Sequence, residues 1–379
     1  MNEGNNSKGW RECKLGDVVV LNYGKGLKEE VRVNGDVPVY SSSGLSGWHN
    51  EPLVNSKGII VGRKGTIGKI YKSEKPFFCI DTAYYILPND EEYDFDYLYY
   101  CLQTLGLEDL NSDSAVPGLN RNAAYNQDLL LPPLPEQRAI ASVLSSLDDK
   151  IDLLHRQNKT LEAMAETLFR QWFIEPCKNG LPKGWEEKPL KDICVIFNGY
   201  AFQSSSYKEY GQKIIRTLNF SNHWIELNDL VYISEELATE YSQFYLKRND
   251  FLLVMVGASL GNFAIVTQDI LPALQNQNMW RFRAKEDFSQ HYLNYALRQI
   301  ISELLHSASG SAREFFQKGV FYDYKILVPP LDLLNKFEQI AESLFSKIEL
   351  NRYQIHTLEK LRDLLLPKLI SGEIRIQYE

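Results

Sequence analysis

Hydrophobic residues recur at alternating intervals of three and four positions in two long stretches of the chain. In the first stretch, the a and d positions of a heptad hold Leu144, Leu147, Ile151, Leu154, Asn158, Leu161, Ala165 and Leu168. In the second stretch they hold Ala341, Leu344, Ile348, Asn351, Ile355, Leu358, Leu365 and Leu369, with Arg362 interrupting the series. This spacing is typical of coiled-coil helices. We expect helices over residues 135–175 and 331–379, the second including a C-terminal tail. A helix of about 40 residues is roughly 60 Å long.

Each of the two helices carries one asparagine at a core position, and these asparagines predict a register. If the helices pack antiparallel, the register that sets Asn158 against Asn351 also sets Leu154 against Ile355 and Leu161 against Ile348. A slip of one heptad would leave both asparagines against aliphatic partners, at a cost of about 1–3 kcal/mol each. We therefore predict a contact between Asn158 and Asn351 near the middle of the coil. The alternative is that both asparagines reach solvent at a frayed seam.

The segments before the helices, residues 1–134 and 176–330, have the pattern of globular domains. Short apolar runs at 58–62 and 251–256, bounded by glycine or Asn-Asp, favour buried strands. The sequences YLYYCLQ (97–103) and YLNYALR (292–298) favour short amphipathic helices. The expected fold class is α+β, with two mixed globular domains separated by two long antiparallel coiled-coil helices.

The two globular segments are copies of one another. Trp10, Leu15 and Asp17 match Trp185, Leu190 and Asp192. Farther along, IIVGRKGTIG (59–68) aligns without a gap with LLVMVGASLG (252–261), and DTAYY (81–85) aligns with QNMWR (277–281). LPPL (131–134) matches VPPL (328–331), and from there a constant offset of 197 carries the first helix onto the second. The chain is therefore an internal duplication of two tandem domains with their helices.

Composition and charge argue against a disulfide-rich, metal-binding, membrane-spanning or secreted protein. The chain has 379 residues, a net charge of −8 and five cysteines without a Cys-x-x-Cys pair, so we expect neither a disulfide framework nor a metal site. The longest apolar run, 251–258, is too short to cross a membrane, and the N-terminus lacks the layout of a signal peptide. A cytoplasmic protein fits these features. Residues 57–75 contain six Lys or Arg residues and one acid, which is compatible with local DNA binding on an acidic protein.

Several of these motifs closely resemble the specificity (S) subunits of type I restriction–modification systems. LPPLPEQRAIASVLSSLDDKID (131–152) and LLLPKLISGEI (364–374) are similar to the repeated regions of that family. GW-x4-LGD (9–17) and its second copy resemble the openings of the two target recognition domains. The second copy departs from the pattern where Pro135-Glu136-Gln137 becomes Asp332-Leu333-Leu334.

The resemblance implies a non-catalytic subunit that recognises double-stranded DNA. Each target recognition domain would read one half of a bipartite, asymmetric sequence, and the helices would fix the spacing and dock two methylation subunits. Restriction and translocase subunits would join through the complex. The chain itself would need no cofactor, since S-adenosylmethionine would be bound by the methylation subunit. Independently of the family, two diverged domains on a rigid spacer can reach two separate, non-palindromic sites on one duplex.

Residues 62–69 are the strongest candidate for DNA contact in the first domain. Their glycines permit a close backbone approach, while the cations can hold phosphates or a guanine edge. The alternative is a tight β-hairpin with solvated charges. Ser41, Ser42 and Ser43 form a second, polar loop, and Arg121 follows a third loop that contains glycine. The complete set of candidates in this domain is Ser41, Ser42, Ser43, Arg63, Lys64, Thr66, Lys69 and Arg121.

In the second domain, the gap-free alignment replaces Arg63-Lys64 by Val256-Gly257. Asparagine and glutamine can bond adenine with two hydrogen bonds, although such residues also occur as turn and cap residues. We also expect Arg313 to occupy the place of Arg121. The candidates here are Arg216, Asn219, Ser259, Asn262, Asn276, Gln277 and Arg313.

Two other functions are compatible with parts of the sequence. The first is a stand-alone DNA methyltransferase, but no carboxamide or carboxylate precedes the prolines of 131–134 or 328–331, and 197–201 only half matches the glycine turn that holds S-adenosylmethionine. No catalytic set recurs in both copies, so we expect no catalytic residues. The second is a coiled-coil scaffold that binds only proteins, against which the basic run and the paired arginines argue weakly.

Overall fold

The computed structural model describes residues 9–110, 118–307 and 316–377. The chain forms two compact units. Unit 1 comprises Met1–Asp152 and Ile355–Glu379, and unit 2 comprises Leu153–Gln354. Each unit therefore contains one globular segment and part of both long helices.

The long helices follow the heptad pattern, and the shorter helices lie in the globular segments. The α-helices of the described residues, in chain order, are α1 Phe95–Thr104, α2 Arg121–Tyr125, α3 Leu134–Phe169, α4 Leu190–Ile193, α5 Glu235–Glu240, α6 Gln290–Ser307, α7 Lys318–Asp323 and α8 Leu331–Ile370. A π-helical turn, Arg170–Ile174, continues α3. Pro135 is tolerated in the first turn of α3, because the N–H groups there have no partner within the helix.

Unit 1 is built from short strands in three small sheets. In chain order they are β1 Arg11–Lys14, β2 Asn22–Tyr23, β3 Val37–Ser41, β4 Gly44–His49, β5 Gly58–Gly62, β6 Ile70–Ser73, β7 Phe78–Cys79, β8 Ala83–Ile86 and β9 Asp128–Leu131. The sheet orders are β2-β8-β5-β6, β4-β3-β7 and β1-β9. β5 is buried along its whole length, in agreement with the apolar run at 58–62.

Unit 2 repeats this arrangement with more strands. They are β10 Glu186–Pro189, β11 Cys194–Asn198, β12 Gln212–Ile215, β13 Phe220–Ser221, β14 Trp224–Ile225, β15 Val231–Ile233, β16 Phe251–Val254, β17 Phe263–Ile265, β18 Ala273–Gln275, β19 Met279–Ala284 and β20 Lys325–Val328. The sheet orders are β11-β19-β16-β17-β14-β13, β15-β12-β18 and β10-β20.

The sheet orders make the duplication visible in three dimensions. β2-β8-β5-β6 corresponds to β11-β19-β16-β17, and β4-β3-β7 corresponds to β15-β12-β18. The parallel pairing of β3 with β7 recurs as that of β12 with β18. The strands β13 and β14 extend the larger sheet of unit 2 beyond this common frame. The fold of each unit is thus one α+β arrangement used twice.

The gap-free alignment of 59–68 with 252–261 is wrong by one residue in the strands. Gly62 pairs with Ala83 in unit 1, whereas in unit 2 the residue that pairs with Met279 is Val254. Because Ala83 and Met279 are equivalent, Gly62 corresponds to Val254 and not to Met255. The two loops close in the same way, by N–H groups of Gly68 and Gly261 that donate to the carbonyls of Gly62 and Val254. The loop of unit 2 is therefore one residue longer.

Parts of the long helices belong to the hydrophobic core of each unit. In unit 1, Ile140 and Leu144 of α3 and Leu369 and Ile370 of α8 pack into the same cluster as the buried residues of β5 and α1. In unit 2, an aromatic group joins the helices to the domain, with ring centroids of Phe173 at 4.9 Å from Tyr292 and at 5.0 Å from Phe337. Each such side chain contributes about 1.5–3 kcal/mol when fully buried.

The predicted contact between Asn158 and Asn351 is confirmed within unit 2. The Nδ2 atom of Asn351 donates to Oδ1 of Asn158 at 2.8 Å, and both residues are buried. Since the rings of Phe169 and Phe337 also meet, at 6.0 Å, α3 and α8 run antiparallel in this unit. Among the residues expected in the coil core, six are buried and four are half-buried. The buried ones are Ile151, Leu154, Asn158, Ile348, Asn351 and Ile355, and the half-buried ones are Leu147, Leu161, Leu344 and Leu358.

The interruption of the heptads by Arg362 has an electrostatic explanation in unit 1. Its guanidinium forms an ion pair with Asp148 at 2.8 Å. Asp148 also accepts a hydrogen bond from the hydroxyl of Tyr100 at 2.6 Å. A polar contact therefore replaces an apolar layer at this position.

The departure of the second copy at Asp332-Leu333-Leu334 also has a structural reason. In unit 1, Glu136 is fully buried and accepts hydrogen bonds from Nε1 of Trp10 and from Arg375. Gln137 bonds the backbone of Asp94 and Pro132. In unit 2 the equivalent residues are Leu333 and Leu334, which pack in the hydrophobic core. The hydrogen-bonded polar residues Glu136 and Gln137 of unit 1 are thus replaced by the apolar residues Leu333 and Leu334 in unit 2.

Candidate nucleic-acid interface

Two of the predicted segments meet at Thr82 of unit 1. Its carbonyl accepts hydrogen bonds from the backbone N–H groups of Arg63 and Lys64, at 2.9 and 3.0 Å. Its hydroxyl accepts from the backbone N–H of Ser42 at 3.2 Å. The serine loop and the basic loop, which are distant in sequence, therefore lie side by side at one edge of the domain.

Arg63 and Arg121 come together over the ring of Tyr23. The guanidinium carbons lie 4.9 and 5.2 Å from the centroid of this ring, which is half exposed. The backbone N–H of Leu119 donates to the carbonyl of Arg63 at 2.8 Å and so fixes the loop that leads to Arg121. Within residues 9–110, 118–307 and 316–377, neither arginine forms an ion pair. The pair is a concentration of positive charge that an anion would stabilise.

The other candidates of unit 1 differ in accessibility. Lys64, Thr66 and Ser43 are exposed. Lys69 forms an ion pair with Glu108 at 2.9 Å, and the hydrogen bond and charge of this carboxylate raise the pKa of Lys69. Ser41 is buried, and its hydroxyl bonds Ser43 and the carbonyl of Gly44 within its own turn. The hydroxyl of Ser41 therefore stabilises the turn, which presents Ser43.

Met255 stands at the place of Arg63 in unit 2. Its backbone N–H donates to the carbonyl of Asn278 at 3.2 Å, as that of Arg63 donates to Thr82. Its carbonyl accepts from the N–H of Phe316 at 3.0 Å, as that of Arg63 accepts from Leu119. The assignment of Val256 to this place is therefore corrected, and the reason is the extra residue in the loop. An apolar side chain replaces a cation.

Lys318 stands at the place of Arg121. Each is the first residue of a short helix that follows the equivalent backbone contact, α2 in unit 1 and α7 in unit 2. Arg313, which the sequence comparison put there, lies outside the described residues. Nζ of Lys318 donates to the carbonyl of Ile196 at 3.0 Å, and partial burial lowers the pKa of Lys318. The constant offset of 197 extends back to this residue and is the signal in the sequence that identifies it.

The polar candidates of unit 2 fall into two groups. Asn219 and Asn276 are buried, and their side chains bond the neighbouring backbone, at Arg216 and Asn228 in one case and at Gln277 in the other. Their amides are used within the turns. Arg216 donates to the carbonyl of Asp229 at 2.6 Å. The exposed candidates are Ser259, Asn262 and Gln277. Asn262 also lines a polar cavity of about 230 Å³.

The glycine turn at 197–201 has a packing role. A Cβ atom on Gly199 would lie 1.7 Å from the carbonyl oxygen of Asn276. The equivalent Gly24 is in the same situation, at 2.1 Å from the carbonyl oxygen of Ile80. Because the requirement recurs in both copies, these glycines serve the close approach of two backbone segments.

Two further properties of the described residues bear on chemistry. No group of three His, Cys, Asp or Glu side chains in residues 9–110, 118–307 and 316–377 could hold a metal ion. No helix in the same part of the chain is long and apolar enough to cross a membrane.

Comparisons with known proteins agree with the duplicated architecture. Residues 7–163 and 182–360 match the family model of the type I restriction modification DNA specificity domain. The chain belongs to this family. It is a specificity subunit, the DNA-recognition component of a type I restriction–modification system, in which other subunits supply the catalytic activities.

Relatives in this family span nearly the whole chain. The type I restriction enzyme MjaIX specificity subunit of Methanocaldococcus jannaschii is 27% identical over 420 residues, which cover 98% of this chain and 94% of that protein. The EcoBI specificity subunit of Escherichia coli is 23% identical, with 86% and 75% of the two chains covered. The crystal structure of the S subunit from M. genitalium has a TM-score of 0.67 at 18% identity and covers 97% of this chain and 98% of that one. This structure shares the fold.

Proposed function

We propose that each unit reads one half of a bipartite, asymmetric sequence on double-stranded DNA. The observation that carries the proposal is that equivalent positions at the same edge of the two units hold different side chains, Arg63 in unit 1 and Met255 in unit 2. The backbone N–H and carbonyl groups of both residues form equivalent hydrogen bonds. A constant frame with variable, half-buried side chains at its edge is what two related readers of different bases require.

The cluster of Arg63, Arg121 and Tyr23 is the centre of the proposed contact in unit 1. Arginine can bond the O6 and N7 atoms of guanine with two hydrogen bonds, and it can also bind phosphate oxygens. Lys64, Thr66 and Ser43 are exposed around the same loops and extend the surface. In unit 2 the exposed Ser259, Asn262 and Gln277 would supply neutral donors and acceptors.

The long helices would fix the spacing between the half-sites and dock two methylation subunits. Support comes from apolar residues of α3 and α8 that are exposed in this chain. These residues include Val143, Leu153, Met164, Ile340, Leu350, Leu361 and Leu364. Exposed apolar side chains on long helices favour protein contacts. The methylation subunit would bind S-adenosylmethionine, and restriction and translocase subunits would join through the complex.

The experiment that tests this function is a genome-wide map of methylated adenines in a host that carries this chain with its partner subunits. We expect a split, non-palindromic motif with unread base pairs between its halves. The same host without this chain is the control and should lack the motif. A continuous motif, or one that survives without the chain, would overturn the proposal.

A further inference from the structure

We propose that Lys318 binds a DNA phosphate in unit 2 as the counterpart of Arg121 in unit 1, while the equivalent positions Arg63 and Met255 discriminate bases. This inference rests on the proposed function, because it presupposes that both units contact DNA. It adds a residue that the sequence comparison missed, and it separates positions that anchor DNA from positions that read it.

The first argument is the structural equivalence of the two short helices. The N–H of Leu119 donates to the carbonyl of Arg63, and the N–H of Phe316 donates to the carbonyl of Met255. Two residues after each of these donors, α2 begins at Arg121 and α7 begins at Lys318. The backbone therefore brings the two side chains to the same place in the two units.

The second argument concerns which charges the copies retain. Phosphate contacts position a protein on DNA and carry no sequence information, so two readers of different half-sites can both keep them. Base contacts must differ when the half-sites differ. A positive charge is retained at Arg121 and Lys318, whereas it is lost between Arg63 and Met255. Arg121 and Lys318 therefore have the property expected of phosphate contacts, and Arg63 and Met255 have the property expected of base contacts.

The third argument is the local geometry of the cations. Arg121 lies over the ring of Tyr23, and Lys318 bonds the carbonyl of Ile196 in the strand equivalent to the one that Tyr23 ends. An ammonium group has three donors, so this bond leaves Lys318 able to hold a phosphate oxygen. Arg63 is held by backbone hydrogen bonds on both sides and donates Nη1 to the carbonyl of Asp81. Such fixation suits a side chain that must discriminate between bases.

The test uses the specificity chain in complex with its methylation subunits and a duplex that carries the mapped motif. Lys318→Gln removes the charge, and Lys318→Arg is the matched variant that keeps it. For Lys318→Gln we expect the slope of log affinity against log salt to become shallower by about 1, and the affinity to fall by the same factor for every single-base variant of the target. Lys318→Arg should restore the wild-type slope. A residue that only stabilised the fold would not change the slope.

The reading positions are tested by exchange. Arg63→Met should alter the preference at one base of the first half-site by about tenfold to a hundredfold and leave the second half-site unchanged. Met255→Arg should do the same at one base of the second half-site. An unchanged salt slope for Lys318→Gln would overturn the inference, as would a change of base preference in that variant. Either result would be compatible with a split methylation motif in the genome. The absence of that motif is what would contradict the proposed function, so the two failures can be distinguished.

Discussion

The amide of Asn351 donates a hydrogen bond of 2.8 Å to the side-chain oxygen of Asn158, across the two helices of unit 2. Asn351 is fully buried and Asn158 is nearly so. Other registers of the two helices are unfavourable, because a register that separates the two side chains breaks this hydrogen bond while the amides stay buried. This pair therefore specifies how α3 and α8 align in the unit.

The first prediction concerns this pair. Asn158→Leu or Asn351→Leu alone should lower the free energy of unfolding by about 1–3 kcal/mol, since the remaining asparagine loses its 2.8 Å hydrogen-bond partner while it stays buried. The double variant should be close to neutral, because no polar group is then left unpaired. Urea unfolding of the four chains in a double-mutant cycle measures the coupling. Asn335→Leu, at an exposed position of α8, is the control and should change stability little. Additive losses in the double variant would contradict the assignment.

The second prediction concerns the buried carboxylate of unit 1. Glu136 is fully buried and accepts from Nε and Nη2 of Arg375 at 2.5 and 2.8 Å. Arg375→Met should cost about 2–4 kcal/mol, because it removes the cation that compensates this carboxylate. In a Glu136→Leu background, which imitates Leu333 of the second copy, the same change should cost much less.

Denaturant titrations of these variants supply the measurement. Lys178→Met is the matched control. Lys178 precedes Arg375 by the repeat offset of 197, and in this copy Leu333 stands in place of the carboxylate of Glu136. We expect that variant to change stability by less than about 0.5 kcal/mol. Equal losses for Arg375→Met with and without Glu136 would show that the ion pair is not the cause.

The third prediction concerns the two close backbone approaches. Gly24→Ala and Gly199→Ala each place a Cβ atom about 2 Å from a carbonyl oxygen of Ile80 or Asn276, so a backbone segment must move. Each substitution should destabilise its own unit by about 1–3 kcal/mol or more. Hydrogen exchange resolved by peptide should show faster exchange in the substituted unit alone. Gly26→Ala, where a Cβ meets nothing within 4 Å, should have no such effect.

The fourth prediction concerns recognition by unit 1. Reversing the charges of Arg63 and Lys64 to glutamate should reduce discrimination within the first half-site by about tenfold or more and leave base preference in the second half-site intact. Binding of the complex to duplexes with single-base changes in either half measures this. Lys75→Glu is the control, because it follows β6 at the other end of the hairpin from the basic loop. Equal loss in both halves would mean that the surface is assigned wrongly or that the variant misfolds.

The duplication, the two helices and the Asn158–Asn351 contact could all be predicted from the sequence. Helical periodicity is local, and a polar residue in an apolar seam restricts the register by itself. Of the proposed contact residues, Arg63 and Arg121 were named separately from the sequence, and only the structure brings them together over Tyr23. In the sequence, Ser41, Asn219 and Asn276 are equally suitable candidates for DNA contact. In the structure, their side-chain polar atoms form hydrogen bonds with the backbone of the surrounding turns.

Only the tertiary structure decided which residue of the second copy is equivalent to Arg63, whereas the offset of 197 already leads from Arg121 to Lys318. The assignment of Met255 to Arg63 depends on hydrogen bonds between segments that are far apart in sequence. A loop that is longer by one residue leaves no local mark, because side chains in a loop have no periodicity that a shift would break. The sequence alone therefore determined the repeat and the helix register, and long-range strand pairing decided which side chains each copy presents.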